Sequence, residues 1–218
     1  KTYHKVADQN QENQHLSLFV TGERNRSSWA VGYRTTDFFF LKGTLNSIFE
    51  RLGLKDVQTA PSSEQTLAEG LSCSLNGKQI ATFGLVTKGI LKDFDIKQDV
   101  FYADLDWDAI LGLISNQNVV FQEIPKYPEV SRDLALLLDE KISFQQVYDL
   151  AWGTEKKLLK NVNLFDVYLG KNLPEGKKSY AVSFTLLDEK KTLTDKQIDK
   201  IMSKLMTRYQ KELGAELR

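Results

Sequence analysis

The sequence predicts an α+β protein of two domains, each an antiparallel sheet with helices packed on it. Several short segments alternate apolar and polar residues, which is the period of a half-buried strand. Amphipathic stretches with capping residues separate those segments, as expected of helices that cover one face of a sheet. The run IPKYP, which contains Pro125 and Pro128, disfavours helix and favours an extended connector. We therefore expect one domain over residues 1–125 and a second over residues 126–218.

The composition excludes several classes of protein. The 218 residues are 41% hydrophobic and 27% charged, which is enough for two modest hydrophobic cores. Cys73 is the only cysteine, so an internal disulfide is excluded and a cytoplasmic location is expected. A run of about 18 apolar residues does not occur, so we expect no membrane partner. Because the chain opens on a strand-like segment without Met, we expect it to be a piece of a longer polypeptide.

The charges are balanced overall but unevenly distributed. The chain has 29 basic and 29 acidic residues, which by itself gives no hint of a nucleic-acid partner. Residues 1–125 have 12 basic and 15 acidic residues, whereas residues 126–218 have 17 and 14. The basic excess of the second half favours an anionic ligand there.

The first domain is predicted to be mostly sheet with at least one packed helix. The segment HLSLFVTG predicts a strand, and a second strand is predicted at about 28–33. Asp37 is typical of an N-cap, and the amphipathic stretch after it should end at Gly53. Further along, Asn76-Gly77 predicts a two-residue type I′ hairpin turn, and residues 100–105 predict another strand.

The second domain has a more regular pattern. Two capping boxes are predicted, Ser143 with Gln146 and Thr194 with Gln197. In order, the predicted elements are a strand at 131–139, a helix from 143 to 153, strands at 160–168 and 179–187, a helix from 194 to 214 and a strand at 215–218. The order β-α-β-β-α-β is that of the ferredoxin-like fold, with two helices on one face of a four-stranded sheet.

Motifs for nucleotide, metal or nucleophile chemistry are not found in the sequence. Neither the P-loop string nor the dinucleotide-binding glycine string occurs, and the spacing of His4, His15 and Cys73 matches no zinc motif. Asp104 and the two aspartates that follow at alternate positions, Asp106 and Asp108, suggest either a metal or acid-base cluster or a solvated strand end. We favour the solvated strand end.

Clustered lysines and one tyrosine in the second half suggest RNA binding. A ferredoxin-like domain can bind RNA through a positively charged surface and aromatic rings on which bases stack. Lysines flank the predicted hairpin loop, the start of its first strand and the last helix: Lys156, Lys157, Lys160, Lys171, Lys177, Lys178, Lys190, Lys191, Lys196, Lys200 and Lys204. Tyr168 ends a strand next to the loop, where its ring can project from the sheet. Solvation alone is the competing reading for any single lysine.

Long strings in the second half identify a family. YPEVSRDLALLLDE, LLKNVNLFDVYLGKNLPEGKKSYAVSFTL, KTLTDKQIDKIM and LGAELR resemble the C-terminal anticodon-binding domain of bacterial phenylalanyl-tRNA synthetase β subunits. Upstream, Trp29, DFFFLKG and the helix leading to RLGL resemble the catalytic-like core module that precedes this domain. Asp104 stands where that module tends to have Glu.

The resemblance implies a non-catalytic part of a larger ligase. In that family an α2β2 heterotetramer charges tRNA(Phe), and ATP, phenylalanine and the tRNA end react on the catalytic α subunit. ATP and Mg are used by the whole enzyme, and no cofactor is expected in this chain. Residues 1–125 would be a truncated, inactive class II synthetase-like antiparallel sheet that packs on α. Neither a membrane nor DNA is an expected partner.

The resemblance and the charge pattern together give a predicted tRNA-binding set. Its members are Tyr168, Lys171, Lys177, Lys178, Arg132, Lys157 and Lys160. For Arg132, a structural salt bridge to Asp133 or Asp166 is an equal alternative.

Two other functions stay open at this point. The ferredoxin-like domain could be a protein-interaction module that serves only subunit assembly, or a small-molecule regulatory domain. A continuous basic face that includes Lys171 and Lys177 would favour RNA, and an exposed apolar sheet would favour a partner protein. A concave apolar pocket between the domains would favour a small molecule.

Overall fold

A computed structural model describes residues 1–6, 8–25, 28–115, 121 and 123–218 of the chain. It divides into two compact units, Lys1–Val120 and Phe121–Arg218. This division lies shortly before the boundary that the proline-containing connector predicts. Within the described residues, none of the helices combines the length and the apolar character needed to cross a membrane.

The first unit contains a two-stranded and a five-stranded antiparallel sheet. Strands β1 and β2 pair with each other, and the larger sheet has the order β3-β7-β6-β5-β4. The elements of this unit are β1 Thr2–Val6, β2 Gln9–Asn13, β3 His15–Thr21, α1 Phe38–Arg51, β4 Gln58–Pro61, β5 Leu67–Leu75, β6 Lys78–Val86, α2 Lys88–Asp93, β7 Val100–Asp106 and α3 Trp107–Ile114. The strands predicted at 15–21 and 100–105 are confirmed.

Helix α1 supplies one side of the core of this unit. Its Asp37 N-cap is confirmed, because the Phe40 backbone N–H donates to the Asp37 carboxylate at 2.7 Å. Leu41 and Leu45 are fully buried and belong to one core cluster with Ala103 and Leu105 of β7. The predicted hairpin turn is also confirmed, since β5 and β6 are joined by Asn76 and Gly77, both with positive φ.

The strand predicted at 28–33 is wrong, because the described residues of this segment form no strand. The segment lies in a loop whose base is closed by backbone hydrogen bonds from Arg24 to Arg34 and from Thr36 to Gly22. Trp29 and Tyr33 are exposed, Trp29 completely. An alternating pattern stabilises a strand only where a neighbouring strand and a packed layer receive it, and the described part of this unit provides neither here.

The second unit is a four-stranded antiparallel sheet with the order β11-β8-β10-β9. Its elements are β8 Val130–Asp139, α4 Phe144–Thr154, β9 Leu159–Tyr168, β10 Lys177–Leu186, α5 Asp195–Leu213 and β11 Glu216–Leu217. This is the predicted β-α-β-β-α-β order, which is confirmed. Both helices pack on one face, where Leu136, Phe184 and Tyr209 are completely buried.

The helix caps of this unit follow the sequence with one difference. In the first capping box, the Ser143 backbone N–H donates to the Gln146 side chain at 2.8 Å. Helix α4 was predicted to end at Gly153 but continues to Thr154. The extra residue is stabilised because the Thr154 hydroxyl donates to the Leu150 carbonyl at 2.6 Å, while the Lys204 ammonium donates to the Thr154 carbonyl at 2.7 Å.

Cys73 gives the first unit a predictable response to high pH. The thiol is 3% exposed on β5, and burial raises its pKa from 9.0 to about 11, against the opposing effect of the Lys42 charge. Because the pKa of the thiol is higher in the folded than in the unfolded state, the buried thiol stabilises the fold fully below pH 9. This stabilisation is lost as the pH rises to 11. We expect a loss of about 3 kcal/mol in the free energy of unfolding.

Urea unfolding of the chain and of Cys73→Ala between pH 8 and 11 measures this contribution. Other groups titrate equally in both proteins, so the difference between their free energies of unfolding isolates the thiol. We expect that difference to shrink above pH 9. A constant difference across the range would show that the thiol does not ionise with a raised pKa.

Candidate nucleic-acid interface

The second unit has one sheet face that its helices do not cover. Residues that pair across antiparallel strands project to the same face, so the register defines what this open face contains. One row is formed by Tyr168, Ser179, Leu137 and Glu216, and the neighbouring row contains Asp166, Ala181 and Ala135. The two rows place a tyrosine beside small side chains near the β9-β10 hairpin.

Tyr168 ends β9 on this open face. It is half-buried and is not a member of the hydrophobic core, as the sequence predicted. The hydroxyl end of its ring lies against Gly170, where an added Cβ would be 2.5 Å from the ring carbon Cζ. A side chain at position 170 would push the hydroxyl end of the ring out of this position.

Arg218 covers the Tyr168 ring, and sequence reasoning missed this contact. Its backbone N–H donates to the Ala135 carbonyl at 3.0 Å, which extends the pairing of β11 with β8. From this position its guanidinium reaches across the open face, and Cζ lies 4.9 Å from the Tyr168 ring centroid. The only signal in the sequence was the terminal LGAELR string, which resembles the family but indicates no contact with a residue fifty positions away.

The structure separates the predicted tRNA-binding residues into two groups. Tyr168, Lys171, Lys177 and Lys178 lie at the hairpin end of β9 and β10, whereas Lys157, Lys160 and Arg132 lie at the opposite end. Strand β9 has ten residues, so the groups are about 30 Å apart at the usual rise per residue.

Within the hairpin group, the lysines differ in how available they are. Lys171 is exposed in the loop, and Lys177 projects to the open face opposite Asp139. Lys178 projects to the helix-covered side and is 9% exposed. Its ammonium donates to the Glu140 carbonyl at 2.8 Å and lies 4.6 Å from the Tyr180 ring centroid. Lys178 is thus held in a structural contact.

At the opposite end, the cations are mostly paired. Lys160 forms an ion pair with Glu189 at 2.7 Å, and this hydrogen bond is the main cause of the lowered pKa of Glu189. The structural salt bridge predicted for Arg132 has a different partner, because its guanidinium lies 3.8 Å from Asp195 at the start of α5. Asp133 and Asp166 project to the open face, away from Arg132, so those predicted pairings are wrong. Lys157 is exposed.

The open face is not a continuous basic surface. Its strands carry the carboxylates of Asp133, Asp139, Asp166 and Glu216 and the cations of Lys177 and Arg218. Carboxylates accept hydrogen bonds from base amino groups and repel phosphates, so this face suits bases better than phosphates.

In the first unit, the three alternating aspartates each have a structural partner. Asp104 accepts hydrogen bonds from His15 Nδ1 at 2.8 Å and Ser17 Oγ at 3.1 Å. Asp106 caps α3 through the Ala109 N–H, and Asp108 accepts from the Gln14 N–H at 2.7 Å. Over the residues that are described, no three His, Cys, Asp or Glu side chains are placed to hold a metal ion.

Both parts of the chain match models of known protein families. The family model of the ferredoxin-fold anticodon binding domain matches residues 125–218, and that of the phenylalanyl tRNA synthetase beta chain CLM domain matches residues 1–107. A phenylalanine–tRNA ligase beta subunit of Bacteroides fragilis is 48% identical over all of this chain, which covers 27% of that protein. The corresponding protein of Porphyromonas gingivalis is 43% identical over 95% of the chain, which covers 26% of it.

The chain therefore spans about a quarter of the length of the curated relatives it matches. Among solved structures, a pyrrolysyl-tRNA synthetase from Desulfitobacterium hafniense aligns with a TM-score of 0.31 and 9% identity, over 46% of this chain and 42% of that one.

Proposed function

Since this chain belongs to the family of phenylalanine–tRNA ligase β subunits, we propose that its second unit binds and orients the anticodon arm of tRNA(Phe). In this proposal, the ligation reaction takes place on a separate catalytic α subunit that uses ATP and Mg. The role of this chain is positioning. A cytoplasmic α2β2 assembly is part of the same proposal.

The observation that carries the proposal is the placement of Tyr168. Its ring stands at the edge of a helix-free sheet face, next to the small side chains of Ser179 and Ala181, of which Ser179 is buried. An unpaired base can stack on such a ring, and this contact is typically worth about 1–3 kcal/mol. The family model that matches these residues describes an anticodon-binding domain.

The lysines at the two ends of β9 can contact the RNA backbone while a base stacks on Tyr168. Lys171 and Lys177 at the hairpin end can neutralise phosphates next to the stacked base. Lys157 and Lys160, about 30 Å away along β9, can meet phosphates further along the arm, where Lys160 would exchange Glu189 for a phosphate oxygen. Lys178 and Arg132 support the fold in this account and contribute less to RNA affinity.

For the first unit, we propose an inactive class II synthetase-like module that packs on the α subunit. Its five-stranded antiparallel sheet with α1 on one side is compatible with that architecture. Trp29, Tyr33 and Phe39 are exposed aromatic side chains of the kind that protein interfaces bury. Co-purification with a catalytic α subunit, reduced by Trp29→Ala, tests this part of the proposal.

Replacing Tyr168 tests the tRNA-binding role directly. We expect Tyr168→Ala to weaken binding of a tRNA(Phe) anticodon-arm hairpin by about 5- to 150-fold, the equivalent of about 1–3 kcal/mol. Tyr168→Phe is the matched control and should bind nearly as the original chain does, because it keeps the ring. Fluorescence anisotropy at several salt concentrations gives both the affinity and the salt slope. Unchanged affinity of Tyr168→Ala would refute the stacking role.

A second function is favoured by the outer edge of the same sheet. Phe165, Val167 and Leu169 are exposed apolar side chains on and just after the edge strand β9. Such an edge favours a protein-interaction module that serves subunit assembly. If the anticodon arm shows no binding and no salt dependence while the chain still assembles with α, this alternative replaces RNA binding.

A further inference from the structure

One face of the Tyr168 ring is already occupied. The Arg218 guanidinium carbon lies 4.9 Å from the ring centroid. Stacked aromatic partners lie with their centroids about 4.5–7 Å apart, so a base on this face would need the space that the guanidinium fills. A base and Arg218 cannot share that position, and the arginine must move before the base can stack.

Arg218 is free to make this movement. It is exposed, and among the described residues its guanidinium forms no ion pair that would hold it on the Tyr168 ring. Its backbone is fixed by the hydrogen bond to Ala135. The long side chain can therefore swing off the ring while the main chain keeps it within reach of the same place.

We propose that Arg218 is a second base-binding residue, which leaves the Tyr168 ring when an unpaired base arrives and stacks on the base from the opposite side. This inference rests on the proposed function. The planar guanidinium stacks well on nucleobases, and its charge also favours the nearby phosphates. Stacking of the guanidinium on the base thus replaces its cation–π interaction with the Tyr168 ring.

Gly170 permits the other element of this arrangement. Because the hydroxyl end of the Tyr168 ring rests on a residue without a side chain, the ring can lie where Arg218 contacts it. The base is therefore expected to enter between the ring and the guanidinium.

Binding of the anticodon-arm hairpin to the full 218-residue chain and four variants tests the inference. We expect Arg218→Ala to weaken binding about 3- to 30-fold. Arg218→Lys keeps the positive charge but not the planar guanidinium. It should recover less than half of the lost affinity on a logarithmic scale. The double variant with Tyr168→Ala should bind more tightly than two independent losses predict, since both residues act on one base.

A direct readout of the movement is available from NMR. In the free chain, the Arg218 side-chain protons should show a ring-current shift that disappears in Tyr168→Ala. Addition of the hairpin should change that shift. A far-UV circular dichroism melt checks that the exposed Arg218 substitutions leave the fold intact.

The outcomes separate the two proposals. If Tyr168→Ala binds normally, the stacking role itself fails. If Tyr168→Ala is weakened while Arg218→Ala binds as well as or better than the original chain, Arg218 only shields the ring and the present inference is overturned. Full recovery by Arg218→Lys would also overturn it, because charge alone would then explain the effect.

Discussion

Phe184→Ala is expected to lower the free energy of unfolding of the second unit by about 3–5 kcal/mol. Phe184 is completely buried on β10, and its ring centroid lies 6.2 Å from that of Tyr209 on α5. Removing the ring leaves a cavity between the sheet and a helix. Because small domains are stable by only about 5–15 kcal/mol, we expect a large part of that margin to be lost.

Hydrogen exchange with mass spectrometry, combined with urea unfolding, locates this loss. Peptides from β8, β9 and β10 should lose protection, because these strands share the core that Phe184 fills. Thr185→Ala is the matched control, since Thr185 is the next residue on β10 and projects to the open face; we expect a change below about 1 kcal/mol. Equal losses for both variants would contradict this description of the core.

Gly84→Ala should destabilise the first unit by about 3 kcal/mol, through a collision with the backbone. Gly84 of β6 pairs with Gly70 of β5. An added Cβ at Gly84 would overlap the Glu69 carbonyl oxygen and lie 2.7 Å from the Gly70 Cα. Since neither contact involves a flexible side chain, the two strands must separate. A lower urea midpoint with an unchanged m-value would report this effect.

Gly112→Ala is the control within the same unit. Gly112 lies in α3, and an added Cβ there meets no atom of the described residues within 4 Å. Because alanine is favoured over glycine inside a helix, we expect a gain of about 0.5–1 kcal/mol. If the free energy of unfolding falls for Gly84→Ala and rises for Gly112→Ala, the close approach of the two strands explains the loss at Gly84. The loss of a glycine alone would not explain it. A loss at both positions would contradict the explanation by close approach.

Most of the second unit could be predicted because its local signals agree with its tertiary fold. Ser143, Thr194 and Gly214 mark helix ends, and the alternation of apolar and polar residues in 179–186 matches the helix-covered and open faces of β10. The 28–33 segment has the same kind of local pattern as a strand. The strand prediction for this segment is wrong because a strand must pair with a neighbouring strand, and a local sequence pattern carries no information about that neighbour.

The sequence proposes residue types for the candidate site but not their geometry. Tyr168 and the lysines could be selected from the sequence. The sequence could not show that Lys177 projects to the open face while Lys178 projects to the other face and donates to the Glu140 carbonyl. Nor could it show that Arg218 reaches Tyr168 across two intervening strands. Both facts depend on register and on contacts between distant residues, which appear only once the sheet is assembled.

The carboxylates on the open face have a consequence for selectivity among polyanions. Duplexes and heparin present charge on all sides and would bring it against Asp133 and Asp166. A single-stranded loop can turn its bases toward these groups and keep its backbone at the lysine-bearing rim. The sheet is thus biased against anions that lack an accessible uncharged side.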